Sequence, residues 1–168
     1  MTRAAAVLVF TAAAACSAVA QEYPPPDGHT LLVAPSTLTI TPALTKDLGW
    51  DPVKDLQPVA RLAVVQIALV VNPAVPARTA PELVALAKQK PGALNYGSPG
   101  NGTPQHLAME LFKQITGADI THVPYKGLAQ AITDLLGGRV DVAYLAVQAI
   151  LPHARAGKAR LLATASDK

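Results

Sequence analysis

Between residues 66 and 163, short β-rich runs alternate with stretches of helical periodicity, and no other feature of the chain limits the fold as much. The runs at 66–71, 94–97, 120–123, 140–144 and 159–163 read as strands. Residues 79–90 read as a helix with Leu83, Val84, Leu86 and Ala87 inward, and a second helix runs to Ile115 and stops at Gly117. A third covers 127–136 before Gly137 and Gly138, and a fourth covers 147–156, with Pro152 near its first turns. Such spacing predicts an α/β fold with right-handed crossovers and a largely parallel sheet covered on both faces. Ligands on these sheets lie at the carboxyl ends of strands, where the loop starting at Ser98 and the turn Pro124-Tyr125-Lys126 both fall.

The loop Ser98-Pro99-Gly100-Asn101-Gly102 follows the second strand directly, with Thr103 as helix N-cap and Pro104 as the first helical residue. Leu107, Ala108, Leu111, Phe112 and Ile115 recur at helical spacing, which predicts a buried face there, with Gln105, Glu110 and Lys113 outward. Unpaired N–H groups of the first turn and the helix dipole favour a carboxylate or phosphate, and Gly100 and Gly102 allow close approach. A glycine-rich turn before a capped helix also occurs as plain structure, so the loop by itself does not establish a ligand.

The chain has 168 residues, 51% hydrophobic and 15% charged, enough for one domain with a real core. Residues 1–20 combine Arg3, an apolar run over 4–15 and the small-residue site Ala18-Val19-Ala20, and read as a secretory signal peptide. The run is shorter than the roughly 20 residues a membrane helix needs, so no stable membrane insertion is expected. Cys16, the one cysteine, lies in this leader; lipoprotein anchoring there is the alternative to cleavage before Gln21. Loss of Arg3 lowers the formal charge from +3 to +2. With scattered basic residues and 4% aromatic residues, no nucleic-acid partner is indicated.

Residues 24–62 are less regular. Tyr23-Pro24-Pro25-Pro26 reads as an extended connector, residues 30–34 as a strand, and Pro35-Ser36-Thr37 as a polar turn. Enzyme readings find little support. Ser98, His106 and Asp134 form no recognisable triad order, and Lys126 as a Schiff-base amine has no supporting context. His29, His106, His122 and His153 lack metal-ligand spacing, so neither metal nor cofactor is expected. His106, one turn into the helix below the glycine loop, is placed to donate to an anion or to serve beside it.

Several longer motifs occur in one fixed order: DGHTLL from Asp27, DPVKDLQPVA from Asp51, LVVNPAVPARTAPELVALAK from Leu69, LNYGSPGNGTPQHLAMELFK from Leu94, then HVPYKG and DLLGGRVDV between His122 and Val142. Together they resemble the substrate-binding proteins of tripartite tricarboxylate transporters, over nearly everything after the leader. The resemblance implies a periplasmic receptor, not an enzyme, whose two α/β lobes of periplasmic-binding-protein type II close on a small carboxylate and carry it to membrane permease subunits. It divides the chain into a signal peptide (1–20), an incomplete remnant of the first lobe (21–68) and a nearly complete second lobe (69–168). It further implies ligand contacts from Ser98, Gly100, Asn101, Gly102 and Thr103, with Ser36 and Thr37 contributing from the remnant and Lys126 assisting an anion. After the fourth strand, Leu145-Ala146-Val147 stand where many relatives carry a polar residue, which favours a simpler or more apolar carboxylate. An orphan ligand sensor and a fragment without a specific ligand are the alternatives. With the opening strand of the first lobe absent, an unpaired sheet edge and exposed apolar surface are expected.

Overall fold

A computed structural model of the protein describes residues 29–165; the leader, Cys16 and the whole proline-rich connector Tyr23-Pro24-Pro25-Pro26 lie outside the described residues. The chain divides into two compact units, Met1–Leu62 and Ala63–Lys168.

Among the described residues of the first unit the regular element is helix α1 (Thr37–Leu44), which buries no side chain and contains Pro42. Its threonines bond locally: Thr41 Oγ1 donates to the Thr37 carbonyl at 2.8 Å, and Thr39 Oγ1 donates to that of Ser36 at 2.8 Å. Residues 30–34 form no strand, and the polar turn read at Pro35-Ser36-Thr37 is instead the start of α1. A strand needs a neighbouring strand to take its N–H and C=O groups, and among the described residues none pairs with residues 31–34. Past α1, Asp51 folds the chain into a turn by accepting the Val53 N–H at 2.8 Å and the Lys54 N–H at 3.3 Å.

The second unit contains β1 (Ile67–Val71), α2 (Ala80–Gln89), β2 (Leu94–Ser98), α3 (Pro104–Thr116), β3 (Ile120–Pro124), α4 (Leu128–Leu136), β4 (Val142–Ala146), α5 (Val147–Arg155) and β5 (Arg160–Ala165). Local signals set three of the helix ends: Thr79 caps α2 by accepting from the Glu82 N–H, Thr103 caps α3 in the same way, and Gly117 closes α3 at φ 68°.

The five strands lie in the order β3-β2-β4-β1-β5. β2 pairs parallel with both β3 and β4, whereas β1 runs antiparallel to β4 and β5. Four of the five strands therefore share one direction and the sheet is mostly parallel, with β1 reversed inside it. That reversal departs from an uninterrupted series of crossovers. The β1–β4 and β1–β5 pairings join segments far apart in sequence, so no single strand–helix–strand connection dictates their direction. β1 alternates between two cores. Leu69 and Val71 pack with Leu83, Ala87, Tyr96 and Met109 under α2 and α3, while Ala68 and Val70 pack with Leu135, Ala143, Leu145 and Ile150 under α4 and α5. Burial on both faces explains its unbroken apolar run.

Helix α3 is turned relative to the expected orientation. Met109 is its fully buried residue, and Phe112 packs edge-on against Tyr144, but Leu107, Leu111 and Ile115 are exposed. Glu110 and Lys113, expected outward, instead lie half-buried over β2. Two stripes competed on this helix: the leucine one is the more hydrophobic, but the other carries partners for Tyr96. Placing Leu111 and Ile115 inward would have left the Tyr96 hydroxyl buried without an acceptor.

Candidate functional site

Because β2, β3 and β4 are parallel, Ser98, Pro124 and Ala146 end at one edge of the sheet, and α3, α4 and α5 begin there. Chain order reverses around β2: β3 lies on one side of it and β4, the next strand, on the other. The crevice between the carboxyl ends of β2 and β4 is therefore the topological switch point of the sheet.

The loop from Ser98 to Thr103 forms one wall of that crevice. Ser98 is buried, and its Oγ accepts the Gly100 N–H at 3.3 Å. Thr103 Oγ1 donates to the Gly100 carbonyl at 2.8 Å and accepts the His106 N–H at 3.3 Å. Gly102 donates its N–H to His106 Nδ1 at 3.3 Å. Ser98, Gly100, Gly102, Thr103 and His106 are thus brought together by bonds within the loop itself. Among the described residues, the N–H groups of Asn101 at the exposed tip and of Gln105 in the first turn of α3 remain open to an outside acceptor. Gly100 sits at φ +144°, and a Cβ there would lie 3.3 Å from the Tyr125 carbonyl oxygen, so only glycine fits without strain.

The turn after β3 touches this loop: Tyr125 donates its N–H to the Ser98 carbonyl at 2.9 Å. Its hydroxyl donates to Asp134 Oδ2 at 2.8 Å, and burial together with that carboxylate pushes the phenol up to about 12. Asp134 also accepts from Arg139 at 2.6 Å and is held below the usual carboxylate range, first by the Tyr125 bond and then by Arg139. Lys126 follows in the same turn, exposed. Ser36 and Thr37 belong to the other unit, at the first turn of α1, where Ser36 makes no side-chain cap bond.

Beneath the loop lies a cluster that sequence reasoning passed over. Tyr96 and His122 are register partners on β2 and β3 and stack at 4.6 Å; His122 stacks in turn on His106 at 4.4 Å. His122 Nε2 lies 2.7 Å from Ser98 Oγ, the hydrogen-bond direction depending on which ring nitrogen carries the proton. Tyr96 donates its hydroxyl to Glu110 Oε1 at 2.5 Å, and Lys113 Nζ donates to the same oxygen at 3.0 Å. Burial raises the Tyr96 phenol above its ordinary value and lowers His122 below its own. Burial also disfavours the Glu110 carboxylate, yet the bonds from Tyr96 and Lys113 outweigh it and hold Glu110 low. The available signal was the helical spacing of His106, Glu110 and Lys113, a polar stripe on one face of α3.

The Ser98–His122 contact does not make a nucleophile. Ser98 is sealed from solvent, its oxygen is already an acceptor for Gly100, and no carboxylate hydrogen-bonds His122 among the described residues. Ser98, His106 and Asp134 do not meet either, since Asp134 is bonded to Tyr125 and Arg139. Among the described residues, no cluster of His, Cys, Asp and Glu could hold a metal ion, and no helix is long and apolar enough to cross a membrane.

Residues 4–168 match the family model described as the tripartite tricarboxylate transporter family receptor. A UPF0065 protein from the gbd 5' region of Cupriavidus necator is 41% identical over 143 residues, covering 85% of this chain and 43% of that protein. The protein BugT of Bordetella pertussis is 37% identical, covering 84% of this chain and 44% of its own length. Among solved structures, an R. palustris protein with adipate aligns at TM-score 0.78 and 36% identity, over 89% of this chain and half of that one. The periplasmic binding protein BugD aligns at TM-score 0.77 and 26% identity over the same shares. The chain thus spans less than half the length of these curated relatives and half that of the solved ones. By the family match over almost all its residues, supported by these relatives, the chain belongs to the receptors of the tripartite tricarboxylate transporter family.

Proposed function

We propose that this chain captures a small carboxylate at the carboxyl edge of β2, β3 and β4 and presents it to the membrane permease subunits of a tripartite transporter, without catalysing a reaction. The observation that carries this reading is the Ser98–Thr103 loop, which leaves the N–H groups of Asn101 and Gln105 open at the dipole-positive start of α3. Backbone donors suit a carboxylate because they are fixed in place and no buried cation has to be desolvated. Two relatives support the ligand class: the R. palustris protein solved with adipate, and MatC of Rhodopseudomonas palustris, 26% identical and solved with malate. On this reading Gly100, Asn101, Gly102 and Thr103 form the contact surface, Ser98 and His106 hold it in shape, and Lys126 adds positive charge nearby; segment 21–68, with Ser36 and Thr37, belongs to the first lobe. Residues 69–168 are then the second lobe. Residues 1–20 direct export to the periplasm and are removed.

Thermal shift with adipate and malate tests the proposal. A carboxylate at 100 times its dissociation constant should add about 2.7 kcal/mol to the unit that binds it. Gly102→Val, at a position with φ 76°, should remove the shift while far-UV circular dichroism records whether the fold persists. Stabilisation that survives in a folded Gly102→Val protein would move the site elsewhere; no stabilisation by any di- or tricarboxylate would sink the ligand class.

A further inference from the structure

We propose that His106 and His122 are positioning residues of the anion loop, and that the stacked pair ties anion capture to proton uptake; this rests on the carboxylate reading of that loop. His106 Nδ1 accepts the Gly102 N–H, so neutral His106 carries its proton on Nε2 and holds one amide of the loop inward. His122 is sandwiched between Tyr96 and His106, and its Nε2 meets the Ser98 hydroxyl that receives the Gly100 N–H. The two imidazoles therefore each govern one amide donor of the loop, His106 directly and His122 through Ser98.

The titratable and charged groups around the stack are Tyr96 on β2, His122 on β3, and His106, Glu110 and Lys113 on α3. Glu110 is already engaged by the Tyr96 hydroxyl and the Lys113 ammonium, so it does not hydrogen-bond either ring. Two imidazolium rings 4.4 Å apart repel, and the pair takes one proton before the other becomes accessible. Burial, and then the charge of His106, hold His122 below the ordinary histidine range, and of the two rings His106 is the one whose Nδ1 faces the loop amide directly. Once protonated at Nδ1, His106 no longer accepts from Gly102. Two N–H groups then face each other, the Gly102 amide is released to an outside acceptor, and a cation lies under the loop. An anion bound there favours the protonated ring in return, so affinity rises on acidification, and binding takes up a proton wherever the free ring is still neutral.

The test uses the purified, nitrogen-15-labelled full chain, with adipate as the anion probe. Between about pH 8 and about pH 6, the Gly102 amide resonance should move together with the His106 ring resonances, with or without adipate. Adipate affinity should rise about tenfold over the same interval, the equivalent of one charge-assisted hydrogen bond. Calorimetry in two buffers of different protonation heat should record proton uptake on binding. His106→Asn keeps an acceptor for Gly102 but takes no proton, so in that variant both the amide shift and the affinity should lose their pH dependence. A Gly102 amide that ignores the His106 titration in the unmodified protein overturns the proposal whether or not the variant folds. Equal adipate affinity at both pH values overturns the inference and leaves the carboxylate reading standing. If adipate does not bind while the Gly102 amide follows His106, the carboxylate reading fails and the proton-controlled loop stands.

Discussion

In the unit comprising residues 29–62, Leu31, Val33, Val53 and Val59 are 58–83% exposed; in the unit comprising residues 63–165, Leu69, Val70, Val71 and Ile150 are at 1% or less. The side chains are of the same kind, so hydrophobicity does not separate the two. Pairing does. β1 lies between two other strands and has a helix layer on each face, whereas the apolar residues Leu31, Leu32 and Val33 pair with no other strand among the described residues. α1 shows the same contrast beside α3. It has β-branched residues through its centre, Pro42 in its interior, no side-chain cap and no buried residue, while α3 is capped at both ends and anchored by Met109. Apolar sequence becomes stability only where the topology supplies a second surface to cover it.

Core truncation should sharpen this comparison most. Ile150→Ala or Leu135→Ala should destabilise the second unit by about 2–5 kcal/mol, whereas Val53→Ala should change stability by less than about 0.5 kcal/mol. Urea titration followed by far-UV circular dichroism reads the second unit, and fluorescence of Trp50, the one tryptophan, reads the first. The Trp50 transition should come at lower urea and stay in place in Ile150→Ala. Coincident transitions that move together would show that the two units unfold as one.

A smaller effect is expected at the loop. Gly100→Ala forces a side chain into φ +144° and against the Tyr125 carbonyl, and should cost about 1–3 kcal/mol in the second unit. In the first unit, Gly49→Ala also meets a positive φ, 71°, but should leave the far-UV transition untouched. Equal shifts from the two replacements would undo the distinction between a packed loop and a local turn.

Acid should give the smallest difference. Glu110 has a folded-state pKa below its ordinary 4.5, so its contribution is fully present above that value and fades as pH falls through the lower one. The group is partly exposed and solvent-screened, so Glu110→Gln should remove less than about 1 kcal/mol at neutral pH and flatten the acid side of the stability curve. Asp51, lowered chiefly by the Val53 N–H, should show its titration in carboxyl NMR shifts without moving the far-UV transition. An unchanged acid limb in Glu110→Gln would assign the acid sensitivity to another carboxylate.

Elements with local punctuation were legible in the sequence: Thr79, Thr103 and Gly117 mark helix ends by side-chain and backbone chemistry that acts within four residues. The direction of β1 was not, because its partners are about 75 and 90 residues away and no nearby residue encodes their orientation. The rotation of α3 was misread for a related reason. Leu107, Leu111 and Ile115 make the stronger apolar stripe, and only Tyr96 on a neighbouring strand reveals why the face of Met109 and Glu110 turns inward. At the candidate site, the glycines and Thr103 announced the loop, but the stack of Tyr96, His122 and His106 joins three elements and leaves no contiguous motif.

The reversed strand also imposes a timetable. β1 is the first strand of its unit to leave the ribosome, yet both its sheet neighbours, β4 and β5, are the last to be made. Throughout synthesis of the intervening residues its two edges stay bare, and the sheet closes only after β5 has emerged. The sheet is therefore completed late, and until β5 is available the run Ile67–Val71 is a segment that a holdase chaperone can grip.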